Sequence, residues 1–164
     1  DFALKLKIPP NPLRNLDNSL TASQAAGRNT YLTKDNVDGG VTCNGCHVLD
    51  PSENFFGTSG LSTVEGRTQE AKVPHLRNAY TKVGMFFSLQ DEVRGFGFLH
   101  GGEVPTLEVF LGGGPFAINS TELNNIVNFT MVFPNNIAPI VGQQITLTAN
   151  NGADQFFLLR IATQ

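Results

Sequence analysis

Cys43-Asn44-Gly45-Cys46-His47 is the stretch that decides how the rest of the chain is read. It has the form C-x-x-C-H, the attachment signature of a c-type haem. Two thiols three positions apart can add to the two vinyl groups on one edge of a porphyrin. The histidine that follows directly is then carried under the iron, where an imidazole nitrogen becomes the proximal ligand. Asn44 and Gly45 are small or turn-prone, which lets the loop lie close to the macrocycle edge. Cys43, Cys46 and His47 are therefore expected to hold one covalent haem c, with His47 on the metal.

Rival readings of the same residues fare worse. A structural zinc site takes four ligands, and beyond this motif the chain offers only His75 and His100, with no second close-spaced pair. A thioredoxin-like redox pair sits at a strand-to-helix junction in a βαβ pattern, which the sequence lacks. A disulfide across two intervening residues is a strained alternative.

The chain has 164 residues, 40% hydrophobic and 15% charged, the composition of one globular domain large enough to bury a core. Seventeen glycines and nine prolines predict long loops and modest helix content. A net charge of -3 argues against nucleic acid and anionic membrane surfaces as partners. No apolar run is long enough to span a bilayer. The chain opens Asp1-Phe2-Ala3-Leu4-Lys5 without a signal peptide. Because thioether haem is attached after export, that opening implies a processed chain or an excised domain of a larger protein, periplasmic or secreted.

Residues 1–20, with Pro9, Pro10 and Pro12, read as an extended lead-in. Residues 20–34 (LTASQAAGRNTYLTK) predict a first helix, with Thr21 or Ser23 as N-cap and Ala25, Ala26, Tyr31 and Leu32 on its apolar face. Gly27 within it suits close approach of another helix, or is simply tolerated. Residues 35–42 are turn-rich, and residues 51–72 form a long polar segment expected to wrap one haem edge. Pro74 suits the first turn of a short helix. Residues 84–104 combine glycines and phenylalanines, as a loop closing over a flat apolar cofactor would.

Pro105–Leu111 predicts another short helix ended by Gly112, Gly113 and Gly114. Asn119 followed by Glu122 forms a capping-box signature for the clearest helix, 120–133, with Leu123, Ile126, Val127, Met131 and Val132 at helical intervals. Beyond Pro134, Ile145–Thr148 reads as a short strand and Asp154–Thr163 as a last helix.

In order, Cys43–His47, Val73-Pro74-His75-Leu76-Arg77-Asn78, His100-Gly101-Gly102 and Thr106-Leu107-Glu108 resemble the C-terminal haem domain of bacterial di-haem cytochrome c peroxidases. The resemblance covers roughly residues 20–133 and is closer still to single-haem cytochrome modules attached to larger exported proteins. It implies a mainly α, class I cytochrome c-like helical fold with long loops, followed by a short irregular or β extension at 134–164. Two departures matter. There is one C-x-x-C-H and no tryptophan to relay electrons between haems, and the region where the family carries its distal methionine reads Gly112-Gly113-Gly114-Pro115.

The sixth ligand is therefore argued from what the chain holds. Met85, between Gly84 and Phe86 in an irregular loop, is favoured; Met131 reads as a core methionine. His100 is the next candidate, as ligand, acid–base group or propionate donor. His75 reads as structural or at the surface. Arg77 and Arg94 are the expected propionate partners, since a guanidinium pairs bidentately with a carboxylate.

With His47 and Met85 filling both axial positions, the expectation is an electron-transfer domain, a monomer docking transiently on another redox protein. Phe86, Phe87, Phe96 and Phe98 would raise the potential by excluding water. The alternative is a haem peroxidase with an open distal site, in which peroxide binds iron and His100 serves as the acid–base group.

Overall fold

The structure, a computed structural model, describes residues 7–37, 40–49, 62–63, 71–83, 97–99 and 101–143. The described residues are mainly helical, with four α-helical segments and short strands. In chain order these are α1 (Ala22–Thr33), β1 (Asp35–Val37), β2 (Val41–Thr42), α2 (Cys43–Cys46), β3 (Ser62–Thr63), β4 (Ala71–Lys72), a 3-10 turn (Ala79–Thr81), α3 (Leu107–Gly113) and α4 (Ser120–Thr130). The strands form two antiparallel pairs, β1 with β2 and β3 with β4. No described helix is long and apolar enough to cross a membrane.

The chain divides into two compact units, Leu20–Phe133 and a second made of Asp1–Ser19 with Pro134–Gln164. Within the second, the two chain segments are tied together: the Ile8 amide donates to Asn136 Oδ1 at 3.0 Å and the Asn135 amide to the Pro9 carbonyl at 2.7 Å.

In the larger unit both long helices are set by reciprocal caps. Thr21 Oγ1 accepts from the Gln24 amide while Gln24 returns a bond to the Thr21 amide. Asn119 and Glu122 do the same for α4. Each cap removes donors that would otherwise be orphaned at the helix start, a contribution of about 1 kcal/mol. Glu122 also pairs with Lys34, so the end of α1 is joined to the start of α4. The lysine and the Asn119 amide hold the Glu122 carboxyl below its ordinary range.

Helix α1 packs along α4 more extensively than any other pair of elements meets. Gly27 makes this possible: a Cβ there would fall 1.9 Å from the Asn125 carbonyl oxygen and 2.9 Å from Phe129 Cβ. Ser23 Oγ adds a bond of 2.6 Å to Asn125 Oδ1 and accepts from Asn128 at 2.9 Å. Beyond the crossing, Tyr31 meets Phe129 and Phe133 edge-on, with ring centroids 5.6 and 5.1 Å away. A second apolar cluster gathers Ala79, Phe98, Leu107, Leu111, Ile126 and Val127.

Three local expectations are corrected. The turn-rich residues before the cysteines form the β1–β2 ladder, with Asp35 opposite Thr42. Pro74 does not start a helix: residues 73–76 are irregular and helical geometry begins only at the 3-10 turn, where the Ala79 amide reaches the Leu76 carbonyl. The triglycine does not stop α3 at once. The helix runs through Gly113 and ends at Gly114, whose backbone is extended. The expected strand at 145–148 and helix at 154–163 lie outside the described residues.

Candidate functional site

The cysteine pair occupies a single helical turn whose shape is fixed on both sides. Thr42 caps it, its hydroxyl accepting from the Gly45 amide at 3.0 Å. The His47 amide donates back to the Cys43 carbonyl at 2.8 Å. Asn44 then reaches forward to accept from the Leu49 amide at 2.8 Å, folding the chain after His47 against the turn. A Cβ at Gly45 would lie 2.7 Å from Val41 Cγ1, so the exposed Val41 side chain would have to shift to admit one. Neither thiol is in a disulfide, and both are half-buried.

His47 is held at two points. Its Nδ1 lies 2.7 Å from the carbonyl oxygen of Pro74. A carbonyl can only accept, so Nδ1 carries the hydrogen and Nε2 is left as the nitrogen with a lone pair. The backbone carbonyl of His47 accepts from the Tyr31 hydroxyl. Burial, and after it the two neighbouring thiols, push the Tyr31 phenol above its ordinary range, which keeps the donor protonated. Replacing Tyr31 by Phe keeps the ring contacts and removes only this donor. The expected cost is about 1–3 kcal/mol, that of leaving a part-buried carbonyl unsatisfied. An unfolding midpoint in denaturant identical to the parent's would show that the bond does not stabilise the attachment loop.

Cys43, Cys46 and His47 open onto a cavity of about 470 Å³, within the usual range of cofactor and ligand pockets. It borders both apolar clusters, taking Tyr31 from one and Phe98, Leu107, Leu111 and Ile126 from the other. Phe110 and Phe116, 5.4 Å apart between centroids, continue the wall. Leu99 also lines it from the left-handed region, φ 62°, a conformation that a leucine adopts rarely and that clusters at functional sites. Gly97, at φ +76°, allows the tight pairing of Phe98 with Val104, because a Cβ there would meet the Gly102 carbonyl at 2.4 Å.

The remaining residues singled out in the sequence fall as follows. Arg77 is buried, 4% exposed, with a guanidinium nitrogen 3.4 Å from the Leu49 carbonyl, just past the cysteine turn. Met131 caps α4 and packs on the Ala79–Ile126 cluster, away from the cavity wall. His75 is half-buried and does line the cavity. Burial first, then Arg77, Lys82 and Lys72, holds its pKa below the ordinary histidine value. Met85, Arg94 and His100, with Phe86, Phe87, Phe96 and most of 51–72, lie outside the described residues.

Sequence reasoning missed the Pro74 carbonyl, because every residue carries a carbonyl and none is marked for use. It also read Tyr31 as apolar face alone, although a buried tyrosine signals a partner for its hydroxyl.

The residues present fit a covalently held haem. The site supplies two thiols outside any disulfide and an imidazole with its tautomer fixed by a carbonyl, the usual setting of a metal-bound histidine. Its walls are largely apolar and, among the described residues, no carboxylate lines them. No group of three His, Cys, Asp or Glu side chains among those residues forms an all-protein metal site; a haem iron needs only axial ligands, the porphyrin supplying the others. No family model, curated protein or solved structure matches this chain.

Proposed function

We propose that Leu20–Phe133 is an electron-transfer c-type cytochrome domain of the class I helical kind, carrying one haem c on Cys43 and Cys46. The observation that supports this reading is the 2.7 Å contact of His47 Nδ1 with the Pro74 carbonyl, which leaves Nε2 as the nitrogen that would ligate the iron. A haem bound there supplies one-electron exchange between ferric and ferrous iron. The chain's part is to hold it and set its potential. Tyr31 and Pro74 fix the proximal loop; Phe98, Leu107, Leu111 and Ile126 keep water away. An apolar surround disfavours the additional charge of the ferric state and so raises the potential. Met85 is the proposed sixth ligand, filling the position at which a substrate would otherwise bind. Haem attachment of this kind implies an exported protein, and the partner is another redox protein meeting it transiently.

The test is an absorption spectrum of the purified protein, ferric and ferrous, with a pyridine haemochrome to count thioether bonds. Two thioethers per haem, a low-spin ferrous spectrum and the weak far-red ferric band of sulfur–iron bonding are expected. Absence of covalent haem would end this reading. A high-spin ferric spectrum that shifts with peroxide would transfer it to the peroxidase alternative. Met85→Ala is expected to lower the potential and admit cyanide to the iron; an unchanged potential would remove Met85 as ligand.

A further inference from the structure

The stretch from Lys72 to Lys82 contains Lys72, His75, Arg77 and Lys82 and no acidic residue, within a chain of net charge -3. Three of those side chains, Lys72, His75 and Lys82, line the same cavity as the cysteines and His47. Among the described residues no aspartate or glutamate lines it. Their backbone positions are fixed rather than incidental. Lys72 lies in β4, paired opposite Ser62. Lys82 closes the 3-10 turn by donating to the Ala79 carbonyl at 3.0 Å, and its own carbonyl accepts from Gly97 at 2.9 Å. His75 follows Pro74, the residue that anchors His47.

A cavity with apolar walls and one cationic edge matches a flat apolar ligand that bears carboxylates. Resting on the reading of the site as a haem site, we propose that Lys72, His75 and Lys82 hold the two propionates of the cofactor. Two ammonium groups and an imidazole N–H can donate to four carboxylate oxygens, and charge-assisted bonds of this kind are about twice as strong as neutral ones. Arg77, expected from the sequence together with Arg94, has a guanidinium nitrogen 3.4 Å from the Leu49 carbonyl and is not among the residues lining the cavity. Burial first, and then Arg77, Lys82 and Lys72, lower the pKa of His75, so Lys82 and Lys72 are near enough to act on it. The field these groups supply also keeps the propionates ionised.

The test uses the haem-loaded full chain with Lys72→Gln and Lys82→Gln combined, against a Lys72→Arg, Lys82→Arg control that keeps the charge. In the glutamine variant the resonance Raman propionate bending band is expected to shift to lower frequency as hydrogen bonding weakens. The bend in the plot of reduction potential against pH is expected to move to higher pH, since carboxylates deprived of cations hold protons more tightly. His75→Gln should give a smaller shift of the same band. The arginine control should lie near the parent on both readouts. A glutamine variant with covalent haem, and with band and bend where the parent has them, would overturn the assignment while leaving the haem reading intact. A parent chain without thioether-bound haem would overturn both.

Discussion

His47→Gly is expected to yield a protein that keeps its haem covalently but loses the low-spin spectrum, and added imidazole is expected to restore it. In the proposed haem site the thioether bonds would be made by Cys43 and Cys46 and the axial bond by His47, so attachment and axial ligation would separate in this variant. Removing the ring vacates the space between Tyr31's partner loop and the Pro74 carbonyl. A free imidazole entering there finds the same acceptor, 2.7 Å from where Nδ1 stood, and presents its other nitrogen in the same direction. Second-sphere bonds of this type change metal affinity by about 10–100-fold, so imidazole should be held more tightly than by an unsupported haem. Retention of the parent spectrum in His47→Gly without imidazole would overturn the proximal assignment. The Cys43→Ala, Cys46→Ala pair serves as the complementary measurement: it should lose thioether absorbance while leaving His47 its bond to Pro74.

How much of this was legible in the sequence depended on whether a feature announces itself locally. The Asn119–Glu122 box did, because a cap is a contact over three residues between side chains of distinctive chemistry, and α4 starts where it predicts. Thr21, one of two caps the sequence offers for α1, is the one used, and the return bond from Gln24 was legible by the same rule. Gly27 was readable only as a choice between close approach and tolerance; the deciding fact, the Asn125 carbonyl beneath it, comes from a residue 98 positions away. Pro74 misled for a physical reason. Proline suits a first helical turn, but here its carbonyl is spent on His47, and the following residues stay irregular until Ala79. His75 shows the same limit. Its apolar neighbours Val73 and Leu76 say nothing of a cavity that α3 and α4 also line.

Gly27→Ala is expected to destabilise the larger unit by about 3 kcal/mol, the upper end of what overpacking costs. Alanine is favoured over glycine in a helix interior by about 1 kcal/mol, so local propensity predicts the opposite sign. The crossing decides the matter: the added methyl would lie 1.9 Å from the Asn125 oxygen and 2.5 Å from its carbonyl carbon. Both are backbone atoms, and no rotamer change can remove them. Relief requires α1 and α4 to separate by more than an ångström, on the order of the gap at which packed atoms forfeit a quarter to a half of their dispersion attraction. Tyr31 is one turn further along α1, so the separation also loosens its contacts with Phe129 and Phe133 and its bond to the His47 carbonyl. At roughly 4 °C per kcal/mol for a unit of this size, the thermal midpoint followed by far-ultraviolet circular dichroism should fall by about 10 °C. Gly113→Ala is the control, because it is also helical and nothing lies within 4 Å of a Cβ built there; its midpoint should hold or rise. A Gly27→Ala midpoint equal to that of Gly113→Ala would mean that the two helices do not meet at Gly27, and with that the packing that presents Tyr31 to the attachment loop would have to be redrawn.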